Sequence, residues 1–482
     1  MSLMTVALVH YHLRSGGVTR VLEAQSAALQ SAGVEHIILS GTRYEGSSHL
    51  PVVVVPELDY STDDHPDLSA KLQSATKEAL GEVPALWHFH NPTLGKNGAF
   101  PRLITDLLES GQRILFQHHD FAEDGRPTNY RLLEHHDQLY PLAPQAHYAF
   151  INSRDLNLLL EAGIPAAHCH LLPNAVTAPG KPTPPSTDND QHLVLYPVRG
   201  IRRKNLGELC LLAALAPENT QFALTIAPAN PQWRPVYDQW VDFSNELGLP
   251  VLFDVSGKVP PAPGADPSFP SWLEHATHLM TCSIAEGFGL AFLEPITLDK
   301  PLFGRDLPEI TSDFTKEGIA LGSLYDDLLV PLDWIDQEQL HTELEKQLRN
   351  SYAVYGQAVD EEILDRAWDS LLLGDYADFG NLPESIQRSV IQQALLLPDE
   401  VMVGVAGECQ PLQDWLVASL QETSSTSPVE TLEPYSLPIY GDALVGIYAA
   451  LLESIPAPPQ WIPPQAVLDQ FLEPERFHFL RT

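Results

Sequence analysis

The feature that most constrains this chain is a strand–helix pattern that runs twice. Thr5–Val9 is a short apolar run that ends in a loop, His10–Gly17. Val18, Val21, Leu22, Ala28 and Leu29 then recur at helical spacing up to Gly33, and His36–Leu39 is a second apolar run. Strand, loop, helix, strand is the opening of a parallel α/β sheet, since parallel neighbours need a crossover and a helix supplies it. Further short strands are expected at Val52–Val55, Leu86–Phe89, Ile114–Gln117 and His147–Ile151. The pattern halts at residues 179–190, rich in proline and polar residues, and then restarts. The second round has strands at His192–Tyr196, Phe222–Ile226, Val251–Val255 and Leu279–Ser283. Helices are expected at Leu206–Ala214, around Val236–Leu247 and from Leu290.

This reads as two Rossmann-like, doubly wound domains facing across a cleft, with a helical C-terminal extension. The expected bounds are 1–180, a linker at 181–190, a second domain at 191–332, and a mostly helical acidic extension at 333–482. A helix near 441–455 is read as crossing back to the first domain. A length of 482 residues suits two cores of roughly 200 residues each.

Charge narrows the partners. With 63 acidic and 27 basic residues the formal charge is −36. Such a surface repels nucleic acid and anionic lipid at long range, so no nucleic-acid partner and no strong membrane binding are expected. No apolar run is read as long enough to span a bilayer, which takes roughly 18–20 residues. The four cysteines lie far apart without a Cys-x-x-Cys, which fits free thiols and a cytoplasmic setting.

Four constellations stand at strand ends. Gly16 and Gly17, followed by Arg20, open the first helix; they suit an anion at helix amides, and equally an ordinary βα turn. Arg199, Arg202, Arg203 and Lys204 follow the first strand of the second round. Arg199 and Lys204 are read as facing phosphate, Arg202 and Arg203 as a solvated turn pairing with nearby acids. Glu286-Gly287-Phe288-Gly289-Leu290 to Glu294 spans a strand-to-helix junction. There two carboxylates flank glycines that expose backbone amides, which suits a sugar nucleotide. The histidines His88, His90, His118 and His119, with Asp120, end two strands of the first domain. They lack the regular spacing of a zinc module, so they are read as lining the cleft, with His88 satisfied in the interior. No metal site is expected.

Taken together, these segments resemble glycosyltransferase family 4, retaining enzymes of GT-B fold, over about residues 5 to 330. Leu172-Pro173-Asn174-Ala175-Val176 is similar to that family's Pro-Asn-Gly-Val loop, and Pro308-Glu309-Ile310 to its later turn. The resemblance implies that the first domain takes the acceptor and the second a nucleoside-diphosphate sugar, UDP- or GDP-linked. Arg199 and Lys204 would neutralise the diphosphate, Glu286 would hold the transferred hexose, and Glu294 the ribose. Gly287 to Leu290 would present amides, and Ser256-Gly257-Lys258 would meet the base. Gly16 and Gly17 would close on the diphosphate, with His119 near the anomeric carbon. Arg20, His90, Asp120 and Asn174 would lie on the acceptor side. No permanently bound cofactor is implied; the nucleotide sugar is a co-substrate. Ala175, Ala227-Pro228 and the stretch before Pro308 depart from the family's glycines, which bears on the acceptor and base pockets. The other readings are a sugar-nucleotide epimerase or phosphorylase on the same plan, and a non-enzymatic sugar-nucleotide sensor or scaffold.

Overall fold

The structure is a computed structural model that describes residues 4–177 and 191–481. The linker expected at 181–190 lies outside the described residues. The chain divides into two compact units, Met1–Thr177 with Glu433–Glu473, and Ala178–Leu432 with Pro474–Thr482.

The first unit is built on a seven-stranded parallel sheet. Its spatial order is Val52–Val54, Glu35–Ser40, Thr5–His10, Leu86–His90, Ile114–His118, Ala146–Phe150 and Cys169–Leu171. Chain order reverses direction between Thr5–His10 and Leu86–His90, and these strands pair in register from Val6 with Leu86 to Val9 with Phe89. Doubly wound sheets bind ligands at the carboxyl ends beside such a reversal. The strands are buried on both faces, as expected of a parallel sheet covered by helices.

The second unit repeats the plan with six parallel strands: Val251–Phe253, Thr220–Ile226, His192–Arg199, His278–Thr281, Leu302–Arg305 and Ser323–Tyr325. The reversal falls between His192–Arg199 and His278–Thr281, which pair at Val194 with His278 and Leu195 with Leu279. Both Rossmann-like sheets read from the sequence are therefore present.

The residues from 327 onward differ from the single extension expected at 333–482. They hold helices, but also strands of an antiparallel sheet ordered Leu372–Leu373, Tyr376–Asp378, Asp327–Pro331, Met402–Val405 and Glu408–Pro411. Its strands have five residues or fewer, too short for a period-two pattern to stand out. The helix Leu437–Leu452 leaves this region and packs within the first unit. Gln25 Nε2 donates to Tyr440 Oη at 2.7 Å, and Tyr448, Leu444 and Leu451 are fully buried in that unit's core. The reading that no apolar run is long enough for a bilayer needs correction. Val429–Leu452 passes by length and composition, with mean hydropathy 1.3. One face of this helix is taken up by the first unit's core.

Candidate active site

In the second unit the reversal brings two loops together. The strand His192–Arg199 runs into a 3-10 turn, Arg202–Lys204, and the strand His278–Thr281 runs into Cys282–Gly289. Ile284 N donates to Arg203 O at 3.0 Å, which ties the loops side by side. Lys204 Nζ donates to Ser283 Oγ at 3.0 Å and forms a short ion pair with Glu286. Tyr196 Oη, from the strand itself, meets Lys204 O at 3.1 Å and Ser283 Oγ at 3.0 Å. Asn205 then turns the chain at φ 47 and caps the helix Leu206–Leu215 by accepting from Glu208 N.

Burial and mutual attraction act against each other in this pair. Burial lowers the Lys204 ammonium, and Glu286 offsets only part of this. Burial raises the Glu286 carboxyl, but the Lys204 charge and hydrogen bonds from Lys204 and Ser283 outweigh it and hold it below the usual range. A buried ion pair with perturbed pKa values at a strand-end reversal sets a donor and an acceptor side by side and marks this as the candidate site of the second unit.

Around this pair stand the other residues read from the sequence. Arg199 ends its strand exposed, and its side chain has no hydrogen bond or ion pair among the described residues. Arg202 instead pairs with Glu384, Nη2 to Oε2 at 2.9 Å; it pairs with an acid as read, but one distant in sequence and mostly buried rather than in a solvated turn. Gly289 caps the helix Leu290–Thr297 at φ 90, and a Cβ there would stand 2.7 Å from Ile310 Cγ2, so glycine is needed twice over. Phe288 is buried, Leu290 is exposed at the helix start, and Glu294 is half-buried one turn in. Ser256, Gly257 and Lys258 follow the edge strand Val251–Phe253, two strands away from the reversal. Gly257 has φ 75, and Lys258 is engaged with Asp254.

In the first unit the histidines gather at strand ends. His90 Nδ1 and His119 Nε2 share a hydrogen bond at 2.9 Å, and His119 N donates to Asn91 Oδ1 at 2.7 Å. His88 is interior as read, with Nδ1 bonded to Tyr448 Oη at 2.7 Å, but its Nε2 is buried without a partner. His118 Nε2 meets Thr93 Oγ1 at 3.1 Å. Burial lowers them all: His88 and His118 to about 3, His119 to about 4, and His90 well below its ordinary value. All are neutral near pH 7 and act as hydrogen-bonding groups without charge. No cluster suited to a metal occurs among the described residues. Asp120 pairs with Arg126. Gly17 would meet nothing within 4 Å if it carried a Cβ, so the local packing does not require glycine there. Arg20 is exposed, and Asn174 is half-buried with Oδ1 unpartnered.

Sequence reasoning missed Ser283, Tyr196 and Asn205, which position Lys204, and Asn91, which positions His119. Single polar residues in or beside an apolar strand give no pattern, though Asn at a strand-to-helix turn is a recognisable left-handed cap. It also missed a buried network behind Lys204. Arg305 Nε donates to both carboxylate oxygens of Glu208 at 3.0 Å, its Nη2 donates to Glu208 Oε2 at 2.9 Å and to Asp378 at 2.8 Å, and Asn205 Nδ2 donates to Glu208 Oε2 at 2.7 Å.

No family model matches the chain. It is 29% identical over 420 residues to a mannosylglucosyl-3-phosphoglycerate synthase of Petrotoga mobilis, covering 79% of either chain. Among solved structures, the Anabaena protein HepE in complex with UDP superposes with TM-score 0.52 at 12% identity, covering 93% of this chain and 100% of the other. Sucrose-phosphate synthase from Thermosynechococcus elongatus superposes with TM-score 0.50 at 15% identity, covering 93% and 99%. At these identities the solved structures show a common fold, the two Rossmann-like sheets of GT-B proteins.

Proposed function

We propose that the chain, which has the GT-B fold, is a glycosyltransferase that moves a hexose from a UDP- or GDP-linked sugar to a hydroxyl of a small soluble acceptor, with retention at the anomeric carbon. The observation that carries this reading is the buried Lys204–Glu286 pair, braced by Ser283, at the reversal of the second sheet. In the reaction the bond from the anomeric carbon to the diphosphate oxygen breaks, and a bond from that carbon to the acceptor oxygen forms on the same face. The acceptor proton passes to a departing phosphate oxygen, so no strong protein base is required. Negative charge grows on the diphosphate. Lys204, the unengaged Arg199 and the amides from Gly287 to Leu290 are assigned its stabilisation, without a metal ion. Glu286 is assigned the hydroxyls of the transferred sugar and Glu294 those of the ribose.

The roles given to Gly16, Gly17, His119, Arg20, His90, Asp120 and Asn174 in the first unit follow from the family resemblance. The relative's name adds a guide to the acceptor, since that protein makes a hexosylated 3-phosphoglycerate. A thermal-shift screen against UDP, GDP and ADP sugars tests the donor half, because a ligand that binds only the native state raises its melting temperature. Stabilisation by one nucleotide series, abolished in Arg199→Ala, is expected. Unimpaired turnover in Glu286→Ala refutes the assignment.

A further inference from the structure

The first unit holds a cluster of charge that the reading so far does not use. Three adjacent strands, Thr5–His10, Leu86–His90 and Ile114–His118, each send a cation from the loop after their carboxyl end: Arg14, Lys96 and Arg126. Tyr60 lies among them. Lys96 Nζ sits 5.1 Å from its ring centre and the Arg14 guanidinium 5.8 Å, while His12 Nε2 meets its hydroxyl at 3.0 Å. Two acids answer two of the cations: Arg14 Nη2 lies 2.5 Å from Asp59 Oδ2, and Arg126 pairs with Asp120. The Lys96 ammonium has no hydrogen bond or ion pair among the described residues, although the Lys96 carbonyl accepts from Ser61 N at 3.0 Å. It is half-buried, and its pKa is lowered by burial and by Arg126 nearby, with Asp120 acting the other way. In a chain of 63 acids and 27 bases, like charges drawn together and left one acid short call for an anion.

We propose that these loops bind an anionic group of the acceptor, a phosphate or carboxylate, with Lys96 as the uncompensated charge and Arg14 and Arg126 flanking it. The proposal rests on the glycosyl-transfer reading and deepens it by giving the acceptor's chemical class. The loops stand at the carboxyl ends beside the reversal of the sheet, where this fold type takes its ligands. Tyr60 holds two of the cations by their approach to its ring, so the cluster is preformed. An arriving anion would meet Lys96 directly and draw Arg14 or Arg126 toward sharing with their acids, as guanidinium groups with several donors allow.

The test is calorimetric titration of the full chain at low salt with hexosyl 3-phosphoglycerate, hexosylglycerate and hexosylglycerol, which differ in phosphate and then in carboxylate. Affinity is expected to fall along this series. A drop at the first step assigns the grip to phosphate, and a drop at the second to carboxylate. Lys96→Met keeps the stem over Tyr60, removes the charge, and is expected to weaken the charged ligands by about 10- to 100-fold. Lys96→Arg is expected to restore most of it. Equal binding of charged and neutral ligands, no binding of any, or a folded Lys96→Met that binds like the wild type overturns the proposal. Failure of every nucleotide sugar to support turnover, with these affinities as expected, would instead fall on the function proposed above.

Discussion

Lowering the pH from 7 to 5 is expected to unfold the first unit before the second. His10, His88 and His118 are pulled down to about 3 and His119 to about 4, in each case chiefly by burial. Unfolded, each returns to 6.5. Below that value the unfolded state binds more protons than the native one, so stability falls as the pH falls. For a pKa shifted this far, linkage gives a loss of about 2 kcal/mol per histidine between pH 7 and 5, or about 8 kcal/mol for the four. Two carboxyls of this unit oppose them, Asp155 and Glu123, both raised chiefly by burial. Glu123 is raised to about 7, so its native form takes up the proton first and gains about 2 kcal/mol over the same interval. Against Glu123 alone, the remainder is on the order of 6 kcal/mol, comparable to the whole stability of an ordinary domain.

The assay is thermal unfolding at pH 7.0, 6.0 and 5.0 with hydrogen exchange followed on peptides of either unit. Strands Leu86–His90 and Ile114–His118 are expected to lose protection well before His192–Arg199. His118→Leu removes one titrating group from an aromatic box with Phe121 at 4.9 Å and Phe150 at 5.9 Å, and should make the pH slope shallower by one proton. Relief of repulsion among the acids works against all this, so the outcome is not trivial. A melting temperature of the first unit that holds steady between pH 7 and 5 refutes the reasoning, and so does exchange that rises first in the second unit.

Three shorter predictions concern the second unit. Lys204→Met leaves Glu286 buried without its partner; kcat/KM is expected to drop at least about 100-fold, measured by release of nucleoside diphosphate, since one charge on the leaving group is lost. Gly289→Ala forces a side chain to φ 90 and against Ile310, and a loss of about 1–2 kcal/mol is expected by urea denaturation. Arg305→Met strands Glu208 and Asp378 together in the interior, with a cost of about 3–5 kcal/mol and a visibly lower urea midpoint.

Much of the architecture was legible because parallel strands buried on both faces leave an unmistakable trace. Thr5–His10 and Ile114–His118 are runs of apolar residues with polar ends, and helical spacing separates them. The strands that escaped are those whose pattern is too short or too mixed. Cys169–Leu171 has three residues, and Leu302–Arg305 includes Gly304 at φ 141, where a Cβ would stand 2.0 Å from Thr281 O. The candidate site divides in the same way. Charged residues beside glycines, such as Lys204 and Glu286, stand out against an apolar strand. The groups that orient them, Ser283 and Tyr196, belong to distant segments and meet only once the sheet is formed. The Arg305–Glu208–Asp378 network is the extreme case, with members 97 and 73 residues apart.

Charge shows why composition alone misleads about the site. A balance of −36 argues against anionic partners at long range, yet the reading of the site requires a diphosphate. The two agree once range is considered. Exposed charges are screened beyond about 8 Å at physiological salt, whereas groups at a strand end act within hydrogen-bond distance. Both sheets carry cations beside their reversals: Arg199 and Lys204 in one unit, Arg14, Lys96 and Arg126 in the other. In the first unit the neighbouring polar groups are imidazoles that burial keeps neutral, so they add hydrogen bonds without opposing the cations. Protonating them would set like charges beside Arg14 and Lys96, both of which add to the lowering that burial imposes on His12. The cations supply the local positive field, and the burial that keeps the neighbouring histidines uncharged is what makes the unit sensitive to acid.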